Sequence, residues 1–134
     1  MLRTVMIRRF GLKLSFVFLA GIAAVNGVLE AQTLNLIYNF TGGSDGGVPL
    51  AGLVLDASGN LYGTTHCDGA DSAGTVYKLT PASGSWTYTS LYVFTGGTDG
   101  LYVYSNPVLL EGHIYGTTKL GGANGNGVIW QVIP

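Results

Sequence analysis

The densest group of side chains able to do chemistry is His66-Cys67-Asp68, with Asp71 close behind. Imidazole, thiolate and carboxylate are the donors on which a transition-metal site draws, and here they could converge from one loop. The same stretch recurs later in the chain with Lys119-Leu120-Gly121 and Asn124 in these places. The architecture therefore does not depend on the cluster, and a solvated loop is the preferred reading. Cys67 read as a reactive thiol would need a neighbouring positive charge, and only His66 could supply one. Asp45 and Asp99 sit in repeated Gly-Gly-Ser/Thr-Asp-Gly turns. Such turns can hold calcium, but the nonapeptide spacing of calcium β-rolls is missing. An Asp that accepts backbone N–H bonds in a tight turn, with glycines at positive φ, explains them better.

Asp56, Asp68 and Asp71 could supply a glycosidase pair, although Asp56 becomes Leu110 in the second copy. His66 and His113 occupy different positions of their repeats, and there is no G-x-S-x-G elbow. Of Tyr38, Tyr62, Tyr77, Trp86, Tyr88, Tyr92, Tyr115 and Trp130, most recur at inward-patterned strand positions, which suits core packing. Tyr102 and Tyr104 lie where the copies differ and are the better candidates for a sugar-stacking surface. Asn39-Phe40-Thr41 matches a glycosylation sequon but falls in an expected strand, so it is read as incidental. No catalytic, cofactor-binding or metal-binding residue is assigned, and no cofactor is implied.

The elements that would position these residues begin after an unlike N-terminal segment. Arg3, Arg8, Arg9 and Lys13 precede an apolar run from Leu14 to Val25 that only Ser15 and Gly21 interrupt. That run falls short of the roughly 20 residues needed to span a bilayer. A basic head, a short apolar middle and a small-residue exit together predict a signal-peptide helix over 1–31. Cleavage is expected after Ala31, with Gly27 as second choice and an uncleaved anchor as the rival. Arg8-Arg9 resembles a twin-arginine signal with an imperfect sequel, so ordinary export is the default and no membrane span remains after cleavage.

The expected mature domain, 32–134, keeps Lys78 and Lys119 against Asp45, Asp56, Asp68, Asp71, Asp99 and Glu111, a formal net charge of −4. Without a basic patch to neutralise phosphates, nucleic acid is excluded as a partner. The 22 glycines and many Thr and Tyr residues favour turn-rich β-structure. Cys67 is the only cysteine, so no intrachain disulfide can form.

An internal repeat is the strongest signal. Tyr38-Asn39-Phe40-Thr41-Gly42-Gly43-Ser44-Asp45-Gly46 returns as Tyr92-Val93-Phe94-Thr95-Gly96-Gly97-Thr98-Asp99-Gly100, and Tyr62-Gly63-Thr64-Thr65 as Tyr115-Gly116-Thr117-Thr118. Gly69-Ala70, Gly74 and Pro81 return as Gly122-Ala123, Gly127 and Pro134. One residue is lost where Asp56-Ala57-Ser58-Gly59 becomes Leu110-Glu111-Gly112, which places the loss in a turn. Repeat 1 covers about 37–90 and repeat 2 about 91–134.

Within a repeat, strands are expected at Leu53 to Asp56, Leu61 to Thr65, Thr75 to Thr80 (stopped by Pro81) and Trp86 to Phe94. Period-2 spacing puts Trp86, Tyr88, Tyr92 and Phe94 on one face. The corresponding strand of the first copy runs from Thr33 to Phe40, and His66 to Ala73 is a polar loop. Val76 and Tyr77 become Ile129 and Trp130, while Lys78, on the face of Val76, becomes Gln131, so both faces of the third strand are at least partly apolar, as in a sheet covered on both sides. The fold class is therefore all-β, with antiparallel β-propeller-like blades in an incomplete or open array. Two units cannot close a ring that needs about 4 to 8 blades. Either copies of the chain assemble, with the opening strand completing a last blade, or the chain is a fragment or shortened form of a longer array, which is the preferred reading. A mature chain that oligomerises or aggregates through unpaired edges is expected.

These motifs resemble the GloVer tandem repeat of large exported bacterial proteins. The matching stretches are Phe40 to Pro49, Gly52 to Asp56, Gly59 to Thr65 and Gly74 to Pro81. The resemblance implies a propeller-type secreted or surface repeat protein without an established enzymatic activity. This sequence departs from it in having two units, no C-terminal anchor or sorting segment, and a divergent stretch from Pro107 to Gly112. The expected function is a secreted or cell-surface module with a binding or structural role, its partners itself, further repeat units or a surface glycan. The alternatives are part of an extracellular carbohydrate-active or carbohydrate-binding protein, and a non-functional remnant of a longer gene.

Overall fold

The computed structural model describes residues 32–134, so the leader expected over 1–31 lies outside the described residues. The first repeat folds into an antiparallel meander of β1 (Val54–Leu55), β2 (Leu61–Thr65), β3 (Thr75–Ala82) and β4 (Ser85–Val93), neighbours in that order. The Asp56 carboxylate closes the turn between β1 and β2, accepting from the Ser58 and Asn60 amides and the Asn60 side chain. It also accepts from the Tyr62 hydroxyl at 2.9 Å.

The second repeat forms β5 (Leu101–Val103), β6 (Val108–Leu110), β7 (His113–Leu120) and β8 (Ile129–Val132). Its β6, β7 and β8 reproduce β1, β2 and β3 in register. Val54↔Tyr62 becomes Val108↔Tyr115, and Gly63↔Tyr77 becomes Gly116↔Trp130. The lost residue falls in a turn, as expected. Glu111 and Gly112, at φ 51° and 79°, bridge β6 and β7 with the two positive φ values of a tight hairpin. A turn this short has no amides left for an Asp56 counterpart to hold, and Leu110 stands there instead.

The core lies between the two sheets. Val54, Tyr62, Val76 and Phe94 of the first meet Leu109, Ile114, Trp130 and Val132 of the second. Val76, Phe94 and Ile114 are fully buried. Covering such a side chain contributes about 1.5–3 kcal/mol. Pleat alternation turns Tyr77 and Leu79 to the opposite face of β3 from Val76, where Phe40 packs edge-on against Tyr77.

The structure corrects four expectations. Residues 33–40 form no strand, and Leu34 and Leu36 are 86% and 75% exposed. Tyr38 and Phe40 dock on Tyr88 and Tyr77, and among the described residues no strand offers the segment a ladder. The aromatics of β4 do not share one face. Tyr88 pairs with Leu79, Ser90 with Tyr77 and Tyr92 with Val76, leaving Leu91 as a bulged residue. That extra residue shifts the alternation, so Tyr88 looks toward Tyr38 while Tyr92 and Phe94 look toward the second sheet. Pro81 does not stop β3 but pairs with Trp86. β2 ends opposite Leu79, so at Pro81 the strand is an edge, where the missing N–H is tolerated. Finally, β5 was not anticipated. It pairs with the far end of β7, and its counterpart in the first repeat is a single bridge, Gly47↔Cys67. All described elements are strands, arranged as two antiparallel sheets, and neither closes into a barrel.

Candidate functional site

The repeated aspartates hold matching turns. The Asp45 carboxylate accepts from the Tyr38 hydroxyl at 3.0 Å, the Thr41 amide at 2.9 Å and the Thr41 hydroxyl at 2.6 Å. Asp99 accepts from Tyr92, the Thr95 amide and the Thr95 hydroxyl at 3.0, 2.8 and 2.6 Å. Gly42, Gly46, Gly96 and Gly100 all take positive φ in these turns. Burial pushes both carboxyls up, but the bonds from the threonines and tyrosines outweigh it and hold both below the usual Asp value. These oxygens are engaged in closing the chain on itself.

The two turns differ in what lies above them. Tyr88 stacks on Tyr38 at 4.9 Å and donates its hydroxyl to the Asp45 carbonyl at 2.8 Å. Asp45 is consequently 9% exposed. Around Asp99 the corresponding place is an open cavity of about 370 Å³ lined by Tyr92, Phe94, Asp99 and Trp130.

The His66-Cys67-Asp68 cluster does not converge. The Cys67 thiol points to the Asp68 carboxylate at 3.7 Å. Burial, with the Asp68 charge and hydrogen bond behind it, pushes that thiol up, away from the thiolate that metals and electrophiles require. Asp71 is exposed. Among the described residues, no three His, Cys, Asp or Glu side chains lie close enough to hold a metal ion. Asp56 is held at about 2, first by the Asn60 side chain, and a carboxyl so acidic is the opposite of a general acid.

His66 instead turns to the two tyrosines that the sequence marked as surface candidates. Its ring lies 4.7 Å from Tyr102 and 4.2 Å from Tyr104, and Lys119 Nζ sits 5.4 Å from the Tyr104 ring centre. The end of β2, strand β5 and the end of β7 thus meet in one patch along the seam between repeats. His66 Nδ1 is buried there with no hydrogen-bond partner among the described residues, while Tyr104 is 47% exposed. Tyr102 holds φ 63°, costly for a bulky residue, but Val48 holds φ 53° at the matching position of the first repeat. The strain therefore belongs to the repeat fold and not to the patch.

The patch offers imidazole, phenol and ammonium groups to a hydrogen-bonding ligand. The nearby Ser105 hydroxyl is engaged with the Thr117 backbone, accepting at 2.7 Å and donating at 3.2 Å. Sequence reasoning found the tyrosines and missed their union with His66. One signal could have revealed it: positions 48/102, 50/104 and 66/119 all differ between copies.

Comparison with curated proteins and with solved structures finds no match. The Gloeobacter/Verrucomicrobia repeat matches residues 23–134, spanning both copies of the Asp turn and both sheets, and the chain belongs to that GloVer repeat family.

Proposed function

We propose that this chain is a blade-type module of an exported repeat protein, secreted or held at the cell surface, with a binding or structural role. The observation that carries this reading is the duplicated Asp turn. The Asp45 and Asp99 carboxylates are hydrogen-bonded into chain closure in both copies. The four-stranded meander of the first repeat and the two-sided apolar faces fit blades stacked in a propeller. The basic and apolar segment before Gln32 supports export.

Expression of the full chain with a C-terminal tag, followed by cell fractionation and N-terminal sequencing, tests the export reading. The expected product lies outside the cytoplasm and begins at Gln32, or at Val28 if the second cleavage site is used. Cytoplasmic protein beginning at Met1 would refute it.

A glycan ligand is a second reading, favoured by the exposed Tyr104 beside His66 and Lys119. On a glycan array, binding lost in Tyr104→Ala would support it. Sugar turnover lost in Asp56→Asn would instead assign a hydrolase.

A further inference from the structure

The two sheets meet through unlike faces, and the same two kinds of face recur on the outside. Inside, Val54, Tyr62 and Val76 of the first sheet cover Leu109, Ile114 and Trp130 of the second. Outside, the second sheet carries Val108, Tyr115 and Ile129, the repeat counterparts of the first group. Ile129 is 83% exposed where Val76 is fully buried, and Val108 is 58% exposed. The outer face of the first sheet carries Leu55, Leu61 and Tyr77, the counterparts of the second group; Leu55 is 63% exposed, while Tyr77 is buried beneath Phe40 and Tyr88. Each outer face therefore has the chemistry of a partner that the other can cover, as the chain demonstrates internally.

The strand edges tell the same story. β3 is flanked by β4, but β8 pairs only with β7 among the described residues. Tyr88 of β4 fills the space over Tyr38, Phe40 and Tyr77, whereas the matching space over Tyr92, Phe94 and Trp130 is the cavity of about 370 Å³. Residues 34–37, which correspond to part of β4, join no sheet among the described residues and carry three apolar side chains, Leu34, Leu36 and Ile37. In the register of β4 on β3, Leu34 falls opposite Val132, Asn35 opposite Gln131 and Leu36 opposite Trp130. Leu34 then takes the place of Tyr88. The same chain's Tyr38 and Phe40 are anchored on the Tyr77 face of its first sheet, away from its own second sheet.

We infer that copies of this chain stack head to tail. The second sheet of one copy lies on the first sheet of the next, and residues 34–37 of that next copy form the strand beside β8. Such a contact is heterologous and closes into a ring when the rotation permits. Two sheets per copy and a ring of about 4 to 8 blades give assemblies of roughly two to four copies.

Sedimentation of the full chain tests this first, with an expected mass of roughly two to four times that of the monomer. Ile129→Lys and Leu34→Asp each change an exposed side chain on one of the two mating surfaces, and each is expected to give a folded monomer. In a Cys67→Ser background, mixing an Asn35→Cys chain with a Gln131→Cys chain is expected to give a disulfide-linked pair on oxidation, and pairing Asn35→Cys with Glu111→Cys is not. A monomeric wild-type chain overturns the inference. So does an assembly that survives both substitutions and forms no 35–131 link. A monomer whose β8 edge binds a peptide of residues 85–94 overturns it in favour of a further repeat unit as the occupant.

Discussion

Replacing Asp45 and Asp99 in turn by alanine compares one turn in two settings within a single chain. Each change removes a carboxylate that accepts three hydrogen bonds with matching partners and nearly matching lengths. The settings differ because Tyr88 roofs Asp45, whereas among the described residues Asp99 borders an open cavity. Hydrogen bonds to a charged group contribute about 1.5–3 kcal/mol each where water cannot replace them, and far less where it can. Thr41 is exposed and Tyr38 half-buried, so water recovers part of the loss even at Asp45. Asp45→Ala is therefore expected to cost about 2–3 kcal/mol and Asp99→Ala about 1 kcal/mol or less. With a urea dependence of about 1–1.5 kcal/mol per molar for a domain of this size, the unfolding midpoint falls by about 2 M in the first variant and by under ~1 M in the second. The measurement is equilibrium urea unfolding followed by tryptophan fluorescence. A Leu34→Asp/Leu36→Asp background keeps the β8 edge uncovered at no cost to the fold, since both side chains are exposed. Adding Tyr88→Phe, which removes the hydroxyl above Asp45, is expected to narrow the gap. Equal losses at the two aspartates, or a larger loss at Asp99, would show that burial beneath Tyr88 does not set the strength of the turn.

Three further outcomes follow from the repeat. An added Cβ at Gly63 would overlap the Tyr77 ring, and at Gly116 the Trp130 ring. Gly63→Ala and Gly116→Ala are each expected to cost about 1–3 kcal/mol, read as a lowered Tm, and wild-type Tm values would discount the ring-over-glycine packing. Thr65 Oγ1 accepts from the Thr75 amide at 3.0 Å and meets the Thr75 hydroxyl at 2.9 Å, both threonines buried. In the second copy Val128 replaces Thr75, and Thr118, the counterpart of Thr65, donates instead to the Leu120 carbonyl. Thr75→Val should therefore cost under ~1 kcal/mol and Thr65→Val about 1–3 kcal/mol, and the reverse order in thermal unfolding would refute the argument. Asp56 is lowered from 3.8 to about 2. A depressed folded value means that its contribution is complete above the unfolded pKa and fades as pH falls from about 4 toward about 2. Carboxyl NMR titration should place its midpoint near 2, and a midpoint at 3.8 or above would contradict the hydrogen-bonded turn.

Much of this architecture is legible in the residues because it is local. The repeat alignment fixed which strands correspond, the Gly-Gly-Ser/Thr-Asp-Gly motifs announced turns closed by aspartate, and the lost residue marked a hairpin. Each of these depends on backbone geometry within a few neighbours, where residue type acts directly. The sequence by itself also showed that both faces of the third strand are at least partly apolar, since Val76/Ile129 and Tyr77/Trp130 keep that character in both copies beside Lys78/Gln131.

What only the tertiary structure decided depends on contacts between distant segments. A single bulged residue, Leu91, turned Tyr88 and Tyr92 to opposite faces, and period-2 spacing carries no sign of it. Residues 34–40 have the pattern of a strand yet join no sheet among the described residues, because a strand exists only where another offers it a ladder. His66 met Tyr102 and Tyr104 across the seam instead of joining Cys67 and Asp68, since packing of the sheets, not closeness along the chain, selects a ring's neighbours.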